Sequence, residues 1–307
     1  MLTAGLEKEN NAALTSIEKF GNIAAFWQLV QRFTGYVYAE ERPLSDLAAH
    51  VLITALSQTM PVSALRGLER FISESNKAYC YQLIHEWQRS EGSGVLEELC
   101  RYVERELRLA ARFDRTEINI LTKSDTFPAI NESILKRLFK EIGENVIRAE
   151  EIIAVVENRR TAAWYALTGD YLESLYYIAR MQEFYLSHID GFHIVEPAGG
   201  WKLYTADAYA MDSHYRHFHF RFGNTLKNPN ARLEDALKKC ADVVEGLYRE
   251  WFLQRLTLTW TKACAADLEL LGYVSGINEQ RGFYSRYVSP IASKGNRVFV
   301  VISDALR

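Results

Sequence analysis

Three histidines stand close together in the run SHYRHFHFRF, at His214, His217 and His219. Clustered histidines are the usual makings of a zinc site, so this stretch is the first place to look for chemistry. The spacing works against it. In a helix His214 and His217 share a face, but His219 lies about 200° around from His217. In a strand His217 and His219 align with Arg221 while His214 turns to the opposite face. No nearby cysteine or well-placed carboxylate completes a tetrahedral set, and a structural or surface role is expected for the three. The same stretch interleaves aromatic residues with Arg216 and Arg221, a composition that single-stranded nucleic acid can use for stacking and phosphate contact. The alternative reading is therefore a nucleic-acid surface formed by Arg216, His217, His219 and Arg221, set against ordinary helix packing of the aromatic residues.

Other candidates carry less. Glu97 with Glu98, Glu104 with Glu106, and Glu150 with Glu151 sit beside basic residues and are expected on solvated helix faces. General acid and base work needs a desolvated, convergent pair instead. Cys80, Cys100, Cys240 and Cys264 have no metal-type spacing and are expected as reduced core residues. No G-x-S-x-G elbow or P-loop is present, and Gly199-Gly200 is too short to cradle a phosphate. The helical body is thus expected to have no catalytic residues and no cofactor of its own. Near the end of the chain, Val298, Phe299, Val300, Val301 and Ile302 form a continuous apolar run, as in a strand buried on both faces of a parallel sheet. Ser303 and Asp304 follow it, where the functional groups of open α/β sheets gather. An aspartate there is either a divalent-metal ligand or a helix N-cap.

Most of the sequence has helical periodicity. Apolar residues recur at helical spacing over 16–33, with Gly35 as a stop, and Pro43 suits the first turn of the next helix. Further helices are expected over 76–88, 93–113, 149–157 and 161–188. Asn131 is expected as the N-cap of a helix over 132–142. The strongest seam, Leu233, Leu237, Cys240, Val244, Leu247 and Trp251, predicts a helix from about residue 231 to beyond 256. The expected fold is mainly α, an irregular multi-helix bundle or helical array. Its expected parts are an N-terminal helical group (1–113), a connection (114–130), a C-terminal helical group (131–296) and a final segment (297–307). No fixed-period repeat is visible.

Composition sets outer limits. Apolar content of 48% with 24% charged residues is that of a chain able to bury a core. A net charge of -3 argues against a protein built mainly to hold nucleic acid. No run of apolar residues is long enough to span a membrane, and the first residues lack a secretion-signal pattern, so a cytoplasmic protein is expected.

The run VFVVISDALR, residues 298–307, resembles the opening strand of the PglZ domain of BREX phage-defence systems, a branch of the alkaline phosphatase superfamily. Upstream, DTFPAINESILKRL (125–138), the 164–171 helix, MDSHYRHF (211–218) and GFYSRYVSPI (282–291) are similar to the helical region that precedes that domain in type A members. The resemblance covers about residues 20–307, and SDALR is its sharpest part. It implies that 297–307 is the first strand of an α/β phosphatase domain absent from this chain. It also implies that Asp304 is a metal ligand in the full-length protein, which would hold a divalent metal, expected to be zinc. The nucleophile and the remaining ligands of that family lie further along, so this chain is expected to be a truncated, inactive piece. Its implied partners are the missing domain and other BREX proteins; composition argues against a membrane and leaves nucleic acid as the less expected partner.

Overall fold

The computed structural model describes residues 12–38 and 43–302, and they are mainly α-helical, with no strand among them. In chain order the α-helices begin with α1 (Ala12–Phe20), α2 (Ile23–Thr34), α3 (Pro43–Leu56), α4 (Lys77–Gln88) and α5 (Ser93–Glu106). They continue with α6 (Leu109–Phe113), α7 (Ile118–Leu121), α8 (Pro128–Gly143), α9 (Ala149–Arg160) and α10 (Tyr165–Ser187). The rest are α11 (Pro197–Leu203), α12 (Tyr209–Thr225), α13 (Glu234–Glu245), α14 (Gln254–Leu271) and α15 (Ser289–Ala292). The chain divides into two compact units, Met1–Ser187 with Ser213–Leu247, and His188–Asp212 with Tyr248–Arg307.

Local chemistry explains where the helices break. The single helix expected over 16–33 is two, because Asn22 accepts a hydrogen bond from the Ala25 amide at 3.1 Å and starts α2 afresh after Gly21. Gly35 then ends α2 in the left-handed conformation, φ 76°, and a side chain there would collide with Ser73. The helix expected over 93–113 is interrupted at Arg108, itself left-handed at φ 51°. Asn131 is not an N-cap. Helix α8 begins three residues earlier, because Phe127 is held extended before a proline and Pro128 is pre-set for the first turn. The seam from Leu233 onward does form one long helical run, α13 and α14, joined by a π-helical segment, Gly246–Leu253.

The core of the first unit is built around α8. Ile130, Ile134, Leu135, Leu138, Phe139 and Ile142 are buried, and so are its polar residues Asn131, Glu132 and Ser133. A helix covered on nearly every side is a central strut rather than a surface helix. It packs against α5, α6, α10 and α13. Residues 114–130, expected as a connection, lie inside this unit, with the helices before and after them in contact. Helix pairs α3 with α4 and α9 with α10 complete it. In the second unit α11 packs on α14, where Gly200 lets the Trp260 ring lie against the backbone.

Residues 298–302, expected as a strand, are irregular and without a ladder. Phe299, Val301 and Ile302 are exposed.

Candidate functional site

The histidine run lies on α12, and helical geometry sends its members to different neighbours. His217 stacks on Tyr177, ring centroids 4.8 Å apart and planes 12° from parallel. His214 is half-buried beside the same tyrosine, with Nδ1 unpartnered. Burial, with Arg180 and His217 adding to it, pushes its pKa down to about 4. His219 Nε2 lies 3.0 Å from Glu245 Oε1, an ion-pair distance without hydrogen-bond alignment. Tyr215 donates to the same carboxylate at 2.7 Å. Arg221 donates to Asp170 at 3.0 Å, and Arg216 is exposed with Ser213 Oγ 3.5 Å away. The four residues of the nucleic-acid reading are therefore not one basic face. Three of them face an acid or a tyrosine. Among the described residues no three His, Cys, Asp or Glu side chains are placed to hold a metal ion. Asp304 lies outside the described residues.

The densest polar arrangement surrounds α8 instead, in the stretch DTFPAINESILKRL. Glu132, buried within the helix, accepts from Arg101 Nη2 at 2.8 Å, Arg232 Nη1 at 2.6 Å and Asn230 Nδ2 at 3.2 Å. Arg232 reaches on to Asp114 at 2.7 Å and Ser133 at 3.1 Å, and Lys136 meets Asp114 at 2.6 Å. Arg101 also donates to Glu104 at 3.1 Å, whose other oxygen caps the Ala129 amide of α8 at 2.7 Å. Burial pushes the Glu132 carboxyl up, but the two guanidinium groups outweigh it and hold its pKa below the ordinary value. Glu104 goes the other way, raised because burial dominates. The expectation that Glu104 is a solvated surface charge is thus corrected. It continues the row Leu96, Cys100 on α5 and is buried with them.

Just upstream, the turn at 124–127 is fastened from several helices. Arg159 is almost wholly buried, donating Nε to Asn131 Oδ1 at 2.8 Å and Nη1 to the Ser124 carbonyl at 2.9 Å. Burial lowers its pKa to about 10. Trp164 donates to the Thr126 carbonyl at 3.2 Å, Gln88 to the Asp125 carbonyl at 2.9 Å, and Asp125 accepts from the Ala163 amide at 3.2 Å. Alongside, Glu173 takes a two-pronged ion pair from Arg160, at 2.8 and 2.9 Å, and the Tyr165 hydroxyl at 2.9 Å. Glu104, Glu132 and Glu173 each accept from groups on other elements and so brace helix to helix. The four cysteines are free and buried, as expected.

Sequence reasoning missed one cluster. In the second unit Asp212 accepts the hydroxyls of both Tyr204 and Tyr248, the latter at 2.6 Å. Both tyrosines lie in π-helical segments, Tyr204–Ala208 and Gly246–Leu253, and π-helical turns often mark functional positions. Their hydrogen-bond ladder leaves no residue signature that could have announced it. Nearby, Trp201, Tyr204, Leu256 and Trp260 help line a cavity of about 320 Å³.

Comparison with known proteins finds two curated relatives, both named as alkaline phosphatase-like proteins. The chain is 25% identical over 300 residues to the alkaline phosphatase-like protein PglZ of Bacillus cereus (strain H3081.97), covering 98% of this chain and 34% of the relative. It is also 25% identical over 313 residues to the alkaline phosphatase-like protein BrxZ of Escherichia coli O9:H4 (strain HS), covering 98% and 35%. These matches support assignment of the chain to the PglZ family. The chain spans about a third of the length of the curated relatives it matches. No family model and no solved structure matches it.

Proposed function

We propose that this chain is the helical, non-catalytic scaffold of a PglZ-type protein of a BREX phage-defence system, positioning an alkaline phosphatase-like domain and contacting partner proteins. The observation that carries this reading is the pattern of similarity, which runs over 98% of the chain but only about a third of each relative. The internal bonding supports it: the acids and bases that the described residues bring together brace helices to one another. In this reading Asp304 is a ligand for a divalent metal, zinc, in the whole protein, and contributes no chemistry to this chain alone. A cytoplasmic setting fits the absence, among the described residues, of any helix long and apolar enough to cross a membrane.

The test is hydrolysis of p-nitrophenyl phosphate and of bis(p-nitrophenyl) phosphate by the purified chain with zinc, manganese or magnesium. No turnover above the metal blank is expected. Turnover that scales with protein and disappears with a chelator overturns the scaffold reading. Affinity capture from cells expressing the other BREX proteins tests the partner half, and a chain that retains none of them counts against it.

A further inference from the structure

The second unit shows an imbalance that its own residues do not correct. It buries few large apolar side chains, among them Phe192, Met211 and Phe252, yet exposes many. One group of them lies at the end of α14 and just beyond it. Leu270 is 81% exposed, and Leu268, Leu271 and Tyr273 are exposed beside it. Phe283, Tyr284 and Tyr287 follow, with Tyr284 65% exposed.

Fraying does not account for these leucines. Gly272 closes the helix in the left-handed conformation, φ 71°, with its amide donating to the Leu268 carbonyl at 3.2 Å. Asp267 then accepts both the amide and the hydroxyl of Ser275, at 2.7 and 2.6 Å, which fixes the following turn. The helix end is therefore a formed, rigid knob. Taking Leu268 as the origin, Leu270 projects about 200° and Leu271 about 300° around the axis. Leu268 and Leu271 therefore share one side of the helix end and Leu270 lies on the other, with the exposed Glu269 between Leu268 and Leu270.

We propose that this helix end, with the aromatic residues at 283–287, is the seat on which the alkaline phosphatase-like part of the whole protein docks. The proposal rests on the scaffold reading and deepens it by naming the surface. The relatives supply the occupant, since about two thirds of their length lies outside the matched region. A second copy of this chain meeting the helix end on one side would leave the other wet.

Carbene footprinting of this chain, and of the uninterrupted polypeptide of its parent reading frame, decides the matter. Labelling at 268–273 and 283–287 should be strong in the chain alone and fall about fivefold or more in the longer polypeptide, as for residues withdrawn from water in an interface core. Leu270→Glu should leave the melting temperature of the chain alone unchanged, because the side chain is exposed there. In the longer polypeptide it should raise the rate of proteolysis between the two parts about tenfold. Equal labelling in a longer polypeptide that hydrolyses phosphoesters overturns the docking surface and leaves the scaffold reading intact. Labelling lost without hydrolysis supports the surface and counts against the phosphatase reading. Protection already present in the chain alone, with a dimer by light scattering, reassigns the surface to self-association. Binding to phosphatidylserine vesicles that is abolished by Leu270→Glu reassigns it to lipid. A parent frame encoding nothing further refutes both readings.

Discussion

Replacing Glu132 by glutamine is the sharpest test of how the first unit is held together. The side chain keeps its shape and loses its charge, leaving Arg101 at 2.8 Å and Arg232 at 2.6 Å facing a neutral amide. Glu132 itself is only 4% exposed, so solvent does little to screen the loss. Removing one partner of a buried ion pair costs about 3–5 kcal/mol. Arg101 and Arg232 are partly exposed and keep Glu104 and Asp114 as second partners, so the lower end, about 3 kcal/mol, is expected here. For a unit of this size that is a fall of about 6–12 °C in melting temperature at pH 7. The pH dependence gives a second check. The folded pKa of Glu132 lies below its ordinary 4.5, so its contribution is present above pH 4.5 and is lost as the pH falls through the lower folded value. The variant and the wild type should therefore converge in stability at acid pH. Thermal melts by circular dichroism at pH 7 and at a series of values descending from pH 4.5 test this. A pH 7 difference under about 1 kcal/mol would place the interaction in the class of weak surface pairs and refute the account of Glu132 as the central brace.

Three further expectations follow from burial. His214 stays neutral down to about pH 4 while its unfolded counterpart takes a proton near 6.5, so it withdraws stability as the pH falls across that interval, and His214→Phe should flatten that part of the profile; an unchanged profile refutes its burial. Burial pushes the Cys80 and Cys240 thiols up to about 11 and about 12, and all four cysteines are buried, so none should react with a disulfide reagent within minutes until denaturant is added. Gly200→Ala places a methyl 2.7 Å from the Trp260 ring, which should displace that ring, red-shift tryptophan emission and cost the second unit about 1–3 kcal/mol; unchanged emission would show that the ring has room to move.

Helix content was legible because apolar spacing alone announces it, and the positions of α3, α4 and α10 follow directly from that spacing. The breaks were harder. Asn22 restarts a helix that periodicity carries straight through, and Asn131, a good N-cap by type, instead spends its side-chain oxygen on Arg159 deep in α8. Capping propensity describes a residue with water as its only competitor. A buried guanidinium across the interface is a stronger one. Glu104 was readable after all, since it continues the Leu96, Cys100 row, but a charge on an apolar row is explained only when its partner Arg101 and the Ala129 amide are seen together. The Tyr204, Asp212, Tyr248 cluster depends on π-helical turns and had no linear signal.

The same logic bears on what a 25% identity can preserve. The stretches that carry the family resemblance, at 125–138, 164–171 and 211–218, are not solvent-facing motifs. Asp125, Asn131, Glu132, Trp164 and Asp212 are each fixed by hydrogen bonds to groups distant in sequence. Exposed positions can change at a cost of a few tenths of a kcal/mol, whereas removing one member of a buried polar set leaves the others unsatisfied. Substitution at these internal braces is therefore expected to cost the helical framework more than substitution at exposed positions. The framework's own contribution can be measured here, through Glu132 for its rigidity and Leu270 for the docking surface proposed above.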